Sequence, residues 1–232
     1  MPSLTDDFVK EIKHRILTGQ WEIGMKLPPC RDLADEFLVS RSVINAGITE
    51  LCSKGYLHTV PRRYICVSDW RSTPTLEMLS DLIDYGLYDI RSSNDLFEGR
   101  MTIETAIAGK AAIARTDEDI ILLHSIIAKE KLCTMPAERA ATDKAFHHAI
   151  ASASHNLVYH SMLNSFGAVE DKLVQEFYED DIDYDFVIKM HEQLCAAITK
   201  KNPAEAEATM RTLLAHGENK IKKQGGNYDK TK

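Results

Sequence analysis

The stretch from Lys26 to Val67 constrains the fold of this chain more than any other segment. It opens with Leu27-Pro28-Pro29, which ends the preceding element because a proline lacks the backbone donor and restricts the residue before it. Residues 31–38 then carry apolar side chains at helical spacing, and residues 41–54 repeat that period. Val39-Ser40 joins the two, and its serine is a good N-cap for the second helix. This pattern predicts two helices joined by a tight turn.

A short β-hairpin is expected directly after the second helix. Gly55 can end that helix, because glycine readily adopts the left-handed conformation that often follows a helix C-terminus. Residues 56–60 and 64–67 then alternate as strands do, with Pro61-Arg62-Arg63 between them. Helix, turn, helix and hairpin in this order predict a winged helix-turn-helix, a shape that fits a DNA groove.

The second of these helices has a polar face opposite its apolar one. Its first outward positions carry short polar groups and one guanidinium at the helix N-terminus. Such groups contact phosphates and base edges, and an asparagine can bind adenine bidentately. Further arginines stand at the start of the first helix and at the tip of the hairpin. The residues expected to contact DNA are Arg31, Ser40, Arg41, Ser42, Asn45, Arg62 and Arg63.

The formal net charge of −7 would disfavour a nucleic-acid partner if it were evenly spread, but it is not. Residues 1–70 hold nine Lys and Arg against nine Asp and Glu, and so carry no net charge. Residues 71–232 hold nineteen basic against twenty-six acidic side chains, which accounts for the whole −7. Because local clustering of basic groups sets a DNA footprint, the composition is compatible with DNA binding by the N-terminal part.

Length and cysteine usage bound the class of protein. A chain of 232 residues has room for two modest domains, each with its own core. No apolar run approaches the roughly 18 residues that span a membrane, and no signal peptide opens the chain. The five cysteines are scattered and form no Cys-x-x-Cys pair, which is typical of reduced thiols. We therefore expect a cytoplasmic protein without membrane contacts.

A linker is expected at residues 69–75, where Ser, Asp and Pro break both periodicities. The DNA-binding domain would then cover residues 1–68 and a second domain residues 76–224, followed by a polar, disordered tail at 225–232. Recurring helical periodicity with short connections predicts an antiparallel all-α bundle of six or seven helices, so the fold class is mainly α. The helical segments lie near residues 75–85, 94–114, 117–134, 137–153, 157–178, 184–200 and 203–223.

Several residues of the first domain follow one another at a recognisable spacing. They are Ile16, Gly19, Trp21, Gly24, Leu27-Pro28, Arg31-Asp32-Leu33-Ala34, Val39-Ser40-Arg41 and Gly55-Tyr56-Leu57. In this order the segment resembles the GntR family of bacterial transcription regulators. Family members usually carry a second arginine where Asn45 stands, and glycines at the hairpin tip where Arg62 and Tyr64 stand. Because asparagine favours adenine and arginine favours guanine, these departures predict an operator unlike the common one.

The second domain carries a resemblance of its own. The residues behind it are Leu96, Phe97, Glu98, Arg100, Ile103, Glu104, Ile107, Ala108, Ala114 to Asp119, Asp143, Phe146, His147, Ile150, Ala153, Ser154 and Asn156. They look like the all-helical effector-binding (FCD) domain of the FadR-type branch of the family. The resemblance implies a homodimer that binds double-stranded operator DNA and a small carboxylate effector. Asp69-Trp70 before a helix resembles the sugar-acid regulators of this branch, in which acyl-CoA, lactate and amino-acid effectors also occur.

A polar cluster is expected inside the bundle. Asp143 and His147 lie one turn apart on the same helix face, and His191 sits in the centre of an apolar stripe on another helix. A carboxylate and two or three imidazoles form a site for Zn²⁺, Ni²⁺ or Mn²⁺. In metal-binding relatives an Asp and three His are the ligands, but Leu213 stands at the fourth position and His216 is the nearest histidine. Three alternatives stay open: His216 substitutes, three ligands suffice, or no metal binds and an Asp–His hydrogen bond remains.

Arg100 is the candidate effector-binding residue. It lies mid-helix among Leu96, Ile103 and Ile107. The resemblance implies that this arginine holds an acidic effector, and a guanidinium suits a carboxylate bidentately. The alternative is a salt bridge with Glu104, one turn along the same helix.

Three functions are compatible with these patterns. The first is a metabolite-responsive repressor or activator, whose effector changes how two winged heads are spaced on an operator. The second is a metal-dependent hydrolase that uses the Asp/His site to activate water, although the sequence shows no separate general base. The third is a regulator whose bundle serves only for dimerisation.

Overall fold

The computed structural model describes residues 3–61, 63–88, 94–178 and 184–228, apart from the side chains of residue 176 and residues 224–228. Within these ranges the chain forms eleven helices and one two-stranded sheet, which confirms a mainly α fold. The chain divides into two compact units, residues 1–88, named the head, and residues 89–232, named the bundle. A search of the described helices finds none with the length and apolar character that a membrane span requires.

The head is a winged helix-turn-helix, as the sequence predicts. Strands β1 and β2 pair antiparallel, with Leu57 opposite Val67 and Val60 opposite Tyr64. Leu38 ends α2 in the left-handed conformation, so the chain turns sharply into α3. The elements are α1 (Leu4–Leu17), α2 (Cys30–Phe37), α3 (Arg41–Ser53), β1 (Leu57–Val60), β2 (Tyr64–Val67) and α4 (Leu76–Asp84).

The core of the head includes α4, which the sequence analysis had assigned to the second domain. Met78 of α4 and Trp70 before it are buried with the side chains of α1 and α3. Residues 69–75, expected to be a linker, therefore lie inside the head, and the unit boundary follows Tyr88. Core side chains that expose at most 1% of their surface are Phe8, Ile12, Leu33, Ile44, Leu51, Tyr56, Leu57, Val67 and Met78.

Charged side chains also hold α4 against α1 and α3. The Lys13 Nζ lies 3.0 Å from the Glu77 Oε1 and 2.8 Å from the Asp81 Oδ2. The Tyr56 hydroxyl donates a hydrogen bond to the same oxygen of Asp81. The Lys54 Nζ lies 2.7 Å from the Glu77 Oε1. These contacts join residues more than twenty positions apart in sequence, which explains why local patterns did not reveal them.

The bundle holds seven helices in its described part, in agreement with the expected six or seven. The segment expected as one helix at 157–178 is two, because Phe166 ends α8 and Gly167, a poor helix former, begins α9. The last helix is helical to Tyr228, past residue 225, where disorder was expected. The helices are α5 (Asn94–Ala114), α6 (Asp117–Glu130), α7 (Pro136–Ala153), α8 (Leu157–Ser165), α9 (Gly167–Tyr178), α10 (Tyr184–Thr199) and α11 (Pro203–Tyr228).

The bundle core is apolar, with small residues where helices approach closely. Ala108 and Ala111 of α5, Ile150 of α7 and Leu194 and Ile198 of α10 are fully buried. Ionisable side chains interrupt this core on α5, α6, α7, α9 and α10. Buried ionisable groups are expensive unless they are paired or coordinate a metal, so their arrangement defines the candidate site. They are Glu104, Glu130, Asp143, His147, Glu170 and His191.

Candidate functional site

The first turn of α3 presents a group of exposed polar side chains. Ser40 caps the helix, because its Oγ accepts a hydrogen bond from the Val43 N–H at 3.4 Å, and it lies 2.7 Å from the Ser42 Oγ. Arg41 and Asn45 are exposed one turn apart on the same helix. Four of the residues predicted to contact DNA therefore lie together at the N-terminal end of α3.

The packing of α1 against α3 fixes which face of α3 points outward. Gly47 lies against α1, and a Cβ added there would be 2.4 Å from the Phe8 Cδ1 and 3.3 Å from the Val9 Cγ2. The Phe8 ring cannot easily retreat, because it packs edge-on against Phe37 with ring centroids 5.0 Å apart. The two helices approach too closely for any side chain at this position, so the polar side of α3 faces solvent.

The other predicted DNA contacts lie on α2 and on the hairpin. Arg31 is exposed at the start of α2, with its Nε 3.3 Å from the Asp32 Oδ1. Arg63 is exposed in the turn of the hairpin, and Arg62 lies outside the described residues. The tip also carries Tyr64, whose ring centroid is 4.3 Å from the Lys26 Nζ. Tyr64 stands where family members usually have glycine, and its ring places the ammonium group of Lys26 beside the wing.

The bundle brings three of the four predicted metal ligands together. Asp143 and His147 of α7 and His191 of α10 are buried, and one donor atom of each lies within 4.8 Å of the other two. The His191 Nε2 is 3.6 Å from the Asp143 Oδ1. The imidazole rings of His147 and His191 are 5.8 Å apart between centroids. One carboxylate and two imidazoles from two helices therefore form a single cluster.

Each of these histidines contacts a buried carboxylate through its Nδ1. The His147 Nδ1 is hydrogen-bonded to the Glu104 Oε2 on α5, and the His191 Nδ1 lies 2.9 Å from the Glu130 Oε2 on α6. A carboxylate on one ring nitrogen fixes the ring orientation and directs the other nitrogen to a ligand, as it does around protein-bound metals. Both Nε2 atoms are therefore the ones left to face the cluster.

Arg100 reaches the same cluster through Glu104. Its Nε donates a hydrogen bond to the Glu104 Oε1 at 2.7 Å, which is the salt bridge considered as the alternative. Burial alone would raise the pKa of Glu104, but the charges of Arg100 and His147 outweigh it and hold that pKa well below its usual range. Burial would likewise lower the pKa of His147, and Glu104 raises it instead. Arg100, Glu104 and His147 thus form one hydrogen-bonded chain.

The donor set fits a divalent metal ion. The His191 Nε2 is buried without a hydrogen-bond partner among the described residues, and an unpaired buried nitrogen is costly. The Asp143 Oδ1 accepts a hydrogen bond from the Tyr178 hydroxyl at 3.0 Å, which orients that carboxylate. Two imidazoles and a carboxylate suit Zn²⁺, Ni²⁺ or Mn²⁺. An ion bound to Asp143, His147 and His191 would satisfy the nitrogen of His191.

His216, the fourth predicted ligand, is not part of this group. Its ring packs against Phe186 at a tilt of 35°, with centroids 4.2 Å apart, and its centroid lies 6.1 Å from that of the Phe177 ring. Leu213, by contrast, is buried and lines the same cavity as Asp143. The helix α11 thus presents leucine, and not a histidine, to the cluster.

A cavity of about 60 Å³ opens beside the cluster. Since about 10–15 Å³ by this measure holds one water, the cavity has room for several waters or for part of a small ligand. Its polar wall consists of Arg100, Asp143, His147 and Glu218, and the rest is apolar side chains and one glycine. Such a pocket, apolar with a few converging polar groups, is typical of small-molecule sites.

Sequence reasoning missed Glu130 and gave Glu104 only as a partner of Arg100. A signal was present for both, because each acid continues an apolar helical stripe: Glu130 follows Leu123 and Ile127, and Glu104 precedes Ile107. An acid in such a stripe requires a buried partner. The identity of that partner depends on which helices are neighbours, and this is known only from the fold.

Two family models match the chain, one for each unit. Residues 4–67 match the model of bacterial regulatory proteins of the gntR family, and residues 95–216 match the FCD domain. The second match alone covers more than half of the chain.

Relatives that match most of this chain are named as operon regulators. The chain is 28% identical to the Uxu operon regulator of Haemophilus influenzae over 86% of this chain and 74% of the relative. It is 24% identical to the galactonate operon transcriptional repressor of Escherichia coli, over 94% and 96% of the two chains. A solved structure described as Lar, which controls the Listeria monocytogenes agr system, matches with a TM-score of 0.62 at 15% identity, covering 95% of this chain and 97% of that one.

At that identity the solved structure supports the fold alone, whereas the family models and the relatives bear on function. Those relatives are operon regulators, so the metal-dependent hydrolase considered for the Asp/His site has no support. The winged helix-turn-helix of the first unit is the part of the chain that the gntR family model matches. The chain therefore belongs to the gntR family of bacterial regulatory proteins, with an FCD domain as its second unit, and is a DNA-binding transcriptional regulator and not an enzyme.

Proposed function

We propose that this regulator is a metabolite-responsive repressor that acts as a homodimer. Its bundle binds a small carboxylate beside a divalent metal ion, and its head binds one half-site of an operator. The observation that carries the proposal is the cavity wall, where Arg100 stands beside Asp143 and His147 of the buried cluster. A guanidinium and a metal ion are two groups that bind the same carboxylate from different sides.

The chemical class of the effector is a 2-hydroxycarboxylate such as a sugar acid. One relative is named for the galactonate operon, and galactonate carries a hydroxyl on the carbon next to its carboxylate. A carboxylate and its neighbouring hydroxyl can occupy two positions on one metal ion. The oxygen ligands of such a molecule suit the same divalent ions as the Asp/His cluster. Arg100 would hold the second carboxylate oxygen.

On the DNA side, Arg31, Arg41 and the wing arginines contact phosphates, while Ser40, Ser42 and Asn45 approach base edges. Arg41→Ala should weaken operator binding broadly and reduce the salt dependence by about one counterion, because one phosphate contact is lost. Asn45→Arg should instead change the preferred base at one operator position. Fluorescence anisotropy with operator DNA at several salt concentrations measures both. Lys10→Ala, an exposed cation on α1, is the control, and an unchanged salt slope for Arg41→Ala would contradict the phosphate contact.

A homodimer is supported by exposed apolar side chains on α6. Ile121 and Leu122 expose 70% and 47% of their surface on the side of α6 that points away from the bundle core. A second copy of the chain would cover such residues. Two heads in a symmetric dimer then match two half-sites whose spacing is set by the protein.

Elemental analysis of the untagged protein by inductively coupled plasma mass spectrometry tests the metal site. We expect near-stoichiometric Zn, Ni or Mn in the wild type and its loss in His191→Ala. His216→Ala is the matched control, since His216 lies outside the cluster and its replacement should leave the metal content unchanged. Absence of metal from the wild type, after supplementation with each ion, would refute the metal part of the proposal. Operator binding by the winged head would be unaffected by that result.

A further inference from the structure

We propose that Leu213 leaves the metal ion open to the hydroxycarboxylate, so that metal and acid bind the bundle cooperatively, because the described residues bring three ligands together for the ion. This inference rests on the proposed metal and effector site. It adds that the two ligands are thermodynamically coupled, and that the residue setting the strength of the coupling is Leu213.

The first observation is the number of donors. Asp143, His147 and His191 are the ligating side chains that converge in the described part of the bundle. The one further acid on the cavity wall, Glu218, is engaged with Lys222, whose Nζ lies 2.6 Å from its Oε1. The remaining wall is apolar or glycine. An ion with two histidines and one carboxylate would retain open coordination positions, and two of its ligands, Asp143 and His147, line the cavity.

The second observation is the charge around Arg100. Its guanidinium is hydrogen-bonded to Glu104, and the charges of Glu170 and Asp143 also act on it and raise its pKa. These three carboxylates are buried. The attraction of Arg100 for an incoming anion is therefore largely cancelled. A carboxylate requires the additional positive charge of a metal ion before the site favours it.

The two observations concern the two arms of one binding cycle, metal binding without the acid and acid binding without the metal. The ion is incompletely coordinated without the hydroxycarboxylate, and the hydroxycarboxylate meets a negatively charged site without the ion. Linkage requires that the two ligands change each other's affinity by the same factor. Such coupling is typically about 5-fold to 150-fold.

Leu213 determines this coupling because of its place on α11. It is 6% exposed and lines the cavity together with Asp143 and His147. An imidazole at this position would bring a fourth protein ligand to the ion and occupy one of the positions open to the hydroxycarboxylate. Leu213→His should therefore bind metal more tightly by itself and lose most of the coupling.

The experiment measures metal affinity of the full chain by competition with a chromogenic chelator, with and without an organic acid. The acids are lactate and galactonate, and propionate serves as the control because it is lactate without the 2-hydroxyl. Blanks without protein correct for metal bound by the acids in solution. The variants are Leu213→His and Leu213→Met, the second being an apolar control that tests whether any change at this position alters the fold. Calorimetric titration of each acid, with and without metal, measures the reverse arm of the cycle.

We expect lactate or galactonate, but not propionate, to tighten metal binding about 5-fold to 150-fold in the wild type and in Leu213→Met. In Leu213→His the metal should bind more tightly without acid, and the factor should approach one. Metal binding that neither hydroxy acid changes would overturn the coupling while leaving the metal site intact. A chain that binds no metal under any condition would overturn the proposed metal site as well. Equal enhancement by propionate would refute the two-point chelation.

Discussion

The head and the bundle both bury charged side chains, but they satisfy them in different ways. In the head, the Lys13 Nζ forms ion pairs with Glu77 and Asp81, and the Tyr56 hydroxyl donates a hydrogen bond to Asp81. In the bundle, the corresponding cluster keeps buried polar atoms without hydrogen-bond partners among the described residues, including the His191 Nε2 and the Glu130 Oε1. The head cluster pairs its charged atoms within the chain, whereas the bundle cluster leaves some of its buried polar atoms unpaired among the described residues.

This difference separates a structural role from a binding role. A cluster whose charges are matched within the chain stabilises the packing of α4 on the head and needs no further component. A cluster that leaves buried polar atoms unpaired among the described residues is costly by itself, and a bound cation would lower that cost. Perturbing the head cluster should therefore change stability, while perturbing the bundle cluster should change metal affinity.

The largest expected effect on stability comes from Lys13→Met. The change leaves Asp81 without its cation, and removing one partner of a buried ion pair costs about 3–5 kcal/mol. Because Asp81 retains 18% exposure and the Tyr56 hydrogen bond, we expect about 3 kcal/mol, the lower end of that range. Both tryptophans, Trp21 and Trp70, lie in the head, so fluorescence during urea denaturation of the full chain reports on this unit.

Lys10→Met provides the control for that measurement. Lys10 lies on the same helix, and its side chain is exposed, so its replacement should change the unfolding free energy by less than about 0.5 kcal/mol. Equal effects of the two variants would mean that the head cluster contributes little, and the contrast with the bundle would fail.

The next effect concerns Glu130→Gln in the bundle. Glu130 accepts from the His191 Nδ1, and loss of its charge makes the imidazole a weaker ligand. We expect metal affinity to fall by about 10-fold to 100-fold, with little loss of stability in the metal-free protein. Chelator competition measures the affinity, and circular dichroism measures the melting temperature of the metal-free form.

Glu118→Gln on the same helix is the matched control, since Glu118 is exposed in the first turn of α6. A Glu130→Gln variant that lost stability but retained metal affinity would place Glu130 in a structural cluster like that of the head. The two units would then not differ in the role of their buried charges.

The same comparison explains how far the sequence could be interpreted. Helix periods and caps are local, and they predicted the winged helix-turn-helix and most of the bundle helices within a few residues. Ser40 was predicted as the cap of α3, and its Oγ accepts the Val43 N–H. The assignment of α4 was not local, because Lys13 and Tyr56 contact it from distant parts of the chain. The composition of residues 69–75, which is typical of a linker, therefore gave no indication that α4 packs on the head.

The candidate site shows the same limit. Asp143 and His147 are one turn apart on α7, so their proximity could be predicted from spacing alone. Glu130 and His191 are 61 positions apart, and their contact depends on how α6 and α10 pack. His216 was considered as a ligand because it is the nearest histidine in sequence, but the α11 face that lines the cavity carries Leu213. Sequence patterns identified the chemistry, and tertiary packing selected the residues.

The smallest expected effect on the free energy of unfolding comes from Tyr56→Phe. This variant tests whether Tyr56 and Lys13 together satisfy the Asp81 carboxylate. Tyr56 is fully buried, and phenylalanine keeps its packing while removing only the hydroxyl that donates to Asp81. A hydrogen bond to a charged group contributes about 1.5–3 kcal/mol, and Asp81 retains Lys13, so we expect a loss of about 1.5 kcal/mol. Tryptophan fluorescence in urea measures it as before. In the double variant with Lys13→Met the two losses should not add, because both side chains serve one carboxylate, whereas strict additivity would show that they act separately.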